Sequence, residues 1–210
     1  YIVKPEYRGK GYGIQTWNAA LHALEGRNIG LDGVVDQQDN YRKSGFDLAY
    51  SNIRFEGAGG GGFALPPEII QLSDIGFETI ETYDRRFFPE PRASFLQVWI
   101  NQPGAVSLGF RHAGKLSGYG VLRKCRSGYK IGPLFSDSPE QADILFQSLK
   151  SKVPAGDPVY LDVPETNADA VALAKRHKMQ VVFETARMYT GGAPEISLNR
   201  LYGVTSFELG

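Results

Sequence analysis

Arg8 and Lys10 stand among glycines at 9, 11 and 13 in the stretch Val3-Lys4-Pro5-Glu6-Tyr7-Arg8-Gly9-Lys10-Gly11-Tyr12-Gly13. Glycines at alternate positions let several backbone N–H groups converge on one point with no Cβ in the way. Behind them Ile14, Trp17, Leu21 and Leu24 recur at helical spacing, and Gly26 is a fitting stop. A helix beginning here aims the positive end of its dipole at the same point, where Arg8 and Lys10 add mobile positive charge. With Tyr1-Ile2-Val3 read as the end of a strand, the arrangement is a strand, a glycine turn and a helix. That is a cradle for a pyrophosphate.

The commoner nucleotide loops do not fit it. No Gly-Lys-Ser/Thr closes the turn as a Walker loop requires. A dinucleotide fingerprint begun at Gly9 would need its third glycine at Ile14, and one begun at Gly11 would need it at Thr16. Asp32 has the downstream spacing of a ribose-binding acid but lacks the glycines to go with it. What fits is Arg-x-x-Gly-x-Gly, read as Arg8, Gly11 and Gly13 and preceded by Val3-x-Pro5-Glu6-Tyr7. This resembles the acetyl-CoA loop of the GNAT superfamily of N-acetyltransferases. A further likeness is Tyr41, four residues before Gly45-Phe46, which looks like the superfamily's acid for the departing CoA thiolate. A Tyr hydroxyl with an ordinary pKa near 10 is a sensible donor for that step.

The resemblance implies an α/β (α+β GNAT-like) fold and direct acyl transfer from acetyl-CoA to an amine. Its cofactor-binding residues would be Ile2, Val3, Arg8, Gly9, Lys10, Gly11, Tyr12 and Gly13. Ile2 and Val3 would supply backbone to the pantetheine arm and to the oxyanion, and Tyr41 would be catalytic. The superfamily often has an Asn seven residues before this Tyr, where this chain has Val34; Gln37, Gln38 and Asn40 are the nearest polar replacements. The general base is expected on strands ahead of the loop. Residues 1–57 therefore read as the C-terminal half of an acetyl-CoA-binding unit, completed by a missing N-terminal segment or by self-association. Other readings of the same loop are a catalytically silent acyl-CoA-binding or interaction module, and a nucleotide-phosphate binder.

The elements that must position these residues alternate. Strands are expected at 29–35 and 46–55, with a short helix at 36–43 between them. Gly57 to Gly62, closing on Pro66-Pro67, reads as a flexible linker over 58–66. Beyond it, 67–210 suggests a strand at 69–72, helices at 77–88 and 92–100, and strands at 105–111, 116–124 and 129–134. Ser138-Pro139-Glu140-Gln141 is a well-formed helix start, followed by a strand at 158–163, a helix from Asn167 to His177 and a strand at 180–189. Leu31-Asp32 is echoed by Leu161-Asp162. The segment resembles the C-terminal half of tandem-GNAT proteins in Gly128–Leu134, Leu161–Glu165, Phe183–Gly191 and Tyr202–Gly210. Its own loop, Ile131 to Ser138, lacks the Arg and the paired glycines, and Asp137 sets a carboxylate where phosphates would lie. The expectation is two tandem units with mixed central sheets flanked by helices, the first incomplete and the second degenerate in CoA binding.

Composition narrows the class. The 210 residues carry 23 Lys and Arg against 23 Asp and Glu, with 42% hydrophobic and 22% charged residues. That balance fits a globular fold and speaks against a nucleic-acid partner, which needs clustered positive charge. No apolar run reaches the roughly 18 residues of a membrane span, and no signal-peptide pattern opens the chain. One cysteine, Cys125, fits a cytoplasmic setting and reads as a structural thiol. His22, His112 and His177 share no ligand spacing, so no metal is expected. Glu165 reads as a turn residue.

Overall fold

The structure, a computed structural model, describes residues 2–209. Its elements are α1 (Tyr12–Ala23), β1 (Gly30–Val34), α2 (Gln38–Lys43), β2 (Asp47–Ala58), β3 (Ile69–Gln71), α3 (Phe77–Asp84), α4 (Ala93–Ile100), β4 (Val106–His112) and β5 (Lys115–Lys124). They continue with β6 (Tyr129–Ser136), α5 (Pro139–Lys150), β7 (Pro158–Pro164), α6 (Ala168–Arg176), β8 (Gln180–Tyr189) and β9 (Leu201–Gly203). The helix starts read from the sequence hold at atomic level. Ser138 Oγ accepts from Gln141 N–H at 3.3 Å, and Asn167 Oδ1 from Ala170 N–H at 3.2 Å, each satisfying one amide that the helix itself leaves open.

The strands of both segments enter one sheet instead of separate ones, in the order β1-β8-β2-β7-β6-β5-β4-β3, with β9 on β6. Among the described residues only the β6–β7 pair is parallel. β8 lies between β1 and β2, while β2 lies between β8 and β7. Asn52 faces Thr185 at the middle of the β2–β8 ladder, with Tyr50 opposite Arg187 and Arg54 opposite Phe183 on either side. The register has an approximate two-fold about that middle pair. It sets Asp32 across from Arg187 and Asp162 across from Arg54.

Side-chain alternation along these strands divides the core. One face carries Leu31, Ala186 and Met188 under Trp17 and Leu21 of α1 and Tyr41 of α2. The same face carries Phe55, Leu161 and Val163 under α5 and α6. The opposite face carries Tyr119, Val121 and Phe135, covered by α3, α4 and the segment after β8 that contains Leu201, Val204 and Phe207.

Further expectations are corrected. Ile2 and Val3 lie in no strand; a strand is held by ladder hydrogen bonds, and no described strand runs beside them. Tyr1, the other residue of that reading, lies outside the described residues. The helix expected over 77–88 ends at Asp84, whose buried carboxylate takes both Arg92 Nε and Nη2 at 2.7 Å and the Tyr119 hydroxyl at 2.6 Å. Satisfying that charge fixes the chain there and turns Phe87 into the core. The glycine run is also less loose at its start than its composition implies. β2 runs through Ala58, and the amides of Gly59 and Gly60 donate to Asp157 O at 2.7 Å and Lys150 O at 3.2 Å.

Candidate functional site

The glycine turn has the backbone its composition requires. Gly9 and Gly11 adopt φ of 74° and 80°, a region in which a Cβ is strained. Gly11 is the residue before α1, and no side chain caps the helix. Its first amides therefore face outward with no partner from within the helix. A Cβ on Gly9 would meet nothing within 4 Å, and one on Gly11 only Gln15 Nε2 at 3.7 Å. The ground above the turn is open. Arg8 Nε donates to Val3 O at 3.0 Å, which ties the loop back on itself, and Lys10 sits 5.6 Å from the centroid of the Tyr7 ring. Residues Arg8 to Tyr12 are exposed apart from this local bracing, Gly13 is half-buried, and Ile2 is 93% exposed.

α1 leads from the turn to a cleft of about 810 Å³ whose walls include Ile14, Trp17, Gly33, Gln37, Asn40 and Tyr41. Ile14 belongs to the first turn of α1, so the cleft opens next to the uncapped amides. Tyr41 is half-buried, its ring 5.7 Å from that of Trp17. A Cβ on Gly33 would collide with the Tyr41 ring, so glycine on β1 is what allows the ring to lie flat against the strand. Gln37 and Asn40, two of the three candidate polar replacements for the absent Asn, line the cleft and are joined by a 2.7 Å hydrogen bond, whereas Gln38 does not line it. Thus Tyr41 and the first turn of α1 come together, whereas Ile2 and Val3 do not border this cleft.

β1 is the end strand of the sheet, its outer edge unpaired among the described residues. Leu31 lines the cleft just described and also a second one of about 980 Å³ on the other face, walled by Phe88, Pro89, Tyr189, Pro194 and Phe207. The two clefts meet around the open edge of β1.

Behind that edge lies a network the sequence reading passed over. Asp32, whose side chain is 1% exposed, accepts from Arg187 Nη1 at 2.6 Å, Asn52 Nδ2 at 2.6 Å and Thr185 Oγ1 at 3.3 Å. Burial pushes its carboxyl pKa up, against the pull of Arg187 and the hydrogen bonds. Burial works the other way on Arg187, but Asp32 beside it keeps the guanidinium charged. Arg187 Nε also bonds the Tyr189 hydroxyl at 2.9 Å, and burial foremost raises the hydroxyl pKa of neighbouring Tyr50. Asp162 has the matching arrangement on β7, bridged by Arg54 at 2.7 and 2.8 Å and by Lys130. The repeated Leu-Asp pair and the spacing of Asp32 were the traces of these networks in the sequence. Among the described residues no group of three or more His, Cys, Asp or Glu could hold a metal ion, and no helix is long and apolar enough to cross a membrane.

Comparison with known proteins agrees with this fold. The holothin acyltransferase of Pseudoalteromonas sp. is 29% identical over the whole chain, which covers 71% of that protein. An uncharacterised Caenorhabditis elegans protein is 27% identical over 68% of the chain, spanning half of its own length. Among solved structures, a candidate acetyltransferase from Pyrococcus horikoshii superposes with a TM-score of 0.83 at 24% identity, covering 99% of this chain and 69% of the other. A GCN5-related N-acetyltransferase from Sphaerobacter thermophilus gives 0.57 at 16% identity, covering 93% and 73%. Residues 80–203 match the acetyltransferase (GNAT) domain family, and with more than half of its length so matched the chain belongs to that family.

Proposed function

We propose that this GNAT-type acyltransferase takes acetyl-CoA as its donor, with the pyrophosphate on the turn Arg8–Gly13, and passes the acetyl group to an amine. The observation that carries the reading is the uncapped, glycine-built N-terminus of α1, opening directly onto the cleft that holds Tyr41. Outward amides and a helix dipole favour an anion there. The thioester then reaches towards β1, and the amine approaches from the cleft on the opposite face.

In the reaction, the amine lone pair attacks the thioester carbonyl and the C–S bond breaks. The departing thiolate takes the proton of the Tyr41 hydroxyl, the proton lost by the amine passes to solvent, and solvent returns a proton to the Tyr41 phenolate. Holding both reactants at one strand edge supplies the proximity the step needs. Backbone N–H groups are the source of oxyanion stabilisation. The name of the Pseudoalteromonas relative supports a small-molecule acceptor.

We further read the chain as two related units, 1–57 and 67–210, joined at 58–66. The two-fold register about Asn52 and Thr185 and the matched Asp32–Arg187 and Asp162–Arg54 pairs support this.

Thiol release from acetyl-CoA with tyramine, spermidine and a lysine peptide as acceptors tests the proposal. Tyr41→Phe is expected to slow it by about 10²-fold or more while leaving acetyl-CoA affinity unchanged. Undiminished turnover would remove Tyr41 from the chemistry. Acetyl-CoA affinity with no turnover on any acceptor would make the chain a silent acyl-CoA-binding module.

A further inference from the structure

The family match covers residues 80–203, yet the wedge between strands inside that region is already filled. β6 and β7 run parallel and pair only through Tyr129–Ile131 and Val159–Leu161, after which they separate. β9 enters the gap. It pairs with β6 through Leu134–Gly203 and Phe135–Leu201, and Val204 N–H donates to Asp162 O of β7 at 2.9 Å. One short strand thereby serves the polar backbone of both diverging strands.

The fit leaves no spare room. A Cβ on Gly132 would lie 2.6 Å from Thr205 O and 2.7 Å from Val204 O, and one on Gly203 would lie 2.7 Å from Leu161 Cδ1. Leu201 to Phe207 are buried throughout, Tyr202 within the core under α5 and α6. Asn167 Nδ2 adds hydrogen bonds to Leu201 O at 2.9 Å and Leu198 O at 3.1 Å.

The polar groups at the head of this wedge already have partners as well. α5 is capped by its own Ser138, where α1 is uncapped. Asp137 stands just before it as a carboxylate, held by the Tyr83 hydroxyl at 2.9 Å, Arg86 at 3.3 Å and Arg200 at 3.5 Å. A phosphate arriving here would find Arg86 and Arg200 already paired with Asp137 and the Gln141 amide already bonded to Ser138.

We infer that β9 is an internal stand-in for the extended arm of an acyl-CoA, that the second wedge is closed to donor, and that each chain binds one acyl-CoA, at α1. The occupied wedge instead anchors the residues that follow it. Phe207 and Glu208 continue from β9 to line the second cleft beside Arg187 and Tyr189. The region matched to the family thus contributes the acceptor-side wall and leaves donor binding to residues 8–13. The inference rests on the acetyl-CoA reading of the first segment.

Hydrogen exchange of the full chain with and without CoA, followed by mass spectrometry, tests it beside calorimetry. The expected result is new protection confined to peptides spanning 8–16 and 37–44, one CoA per chain, and loss of all binding in Gly11→Glu. New protection at 129–142 or 198–207, a second CoA per chain, or CoA binding that survives Gly11→Glu would overturn it. No protection and no heat anywhere would overturn the donor reading itself, and this inference with it.

Discussion

Arg187 carries its charge into a part of the sheet that water barely reaches, and Asp32 is the reason it can. Arg187→Met would leave the Asp32 carboxylate buried without its cation, at a cost of about 3–5 kcal/mol near pH 7. The pH dependence follows from the direction of the Asp32 shift. Its folded pKa lies above the unfolded value of 3.8, so the folded chain holds that proton more tightly than the unfolded chain does. The stability this contributes is fully present below the unfolded value and is lost as pH rises through the folded value. Removing Arg187 raises the folded value further. Urea melts of wild type and Arg187→Met at pH 7.5 and pH 5 should therefore show a deficit that shrinks on acidification; a pH-independent deficit would contradict the account. Arg8, Gly11, Gly13 and Tyr41 could be proposed from the sequence because each belongs to a short local motif. Asp32 was visible as an acid at a suggestive spacing, but its partner lies 155 positions away, and only the fold supplies that contact.

At the scale of elements, glycine does two different jobs. At Gly9 and Gly11 it supplies backbone angles, and at Gly33 and Gly203 it supplies space. Gly33→Ala would drive a methyl group into the Tyr41 ring, so turnover is expected to fall towards that of Tyr41→Phe while acetyl-CoA affinity changes little. Activity at the wild-type level would show that the ring position against β1 does not matter. Gly203→Ala would press on Leu161 in the filled wedge and cost about 1–3 kcal/mol, measured by thermal melting; an unchanged melt would show the wedge to be slack. Helices with explicit caps, α5 and α6, were readable to within a residue of their starts. The end of α3 was not, because it is set by a buried carboxylate whose partners come from α4's approach and from β5. The glycine run read as a linker from composition alone. Pairing of β2 with β7 is what draws its first residues into the sheet.

In the whole molecule, β2 and β8 are each inserted between strands of the other segment. Local alternation announced an α/β fold with mixed pairing. It could not announce a single shared sheet, since that depends on register between strands more than a hundred residues apart. Residues 67–210 expressed alone would lack the strand that fills the space between β7 and β8, and are expected to fail to fold, whereas the whole chain should melt in one cooperative transition. A well-folded 67–210 fragment with native-like amide dispersion would contradict the interlocked sheet. The central claim is that the donor sits on the glycine turn at the head of α1. Calorimetric titration of acetyl-CoA into wild type and Gly11→Glu tests it most directly, since the variant sets a carboxylate and a strained backbone where the pyrophosphate would lie. The account predicts saturable binding to wild type and none to the variant; equal binding to both would contradict it.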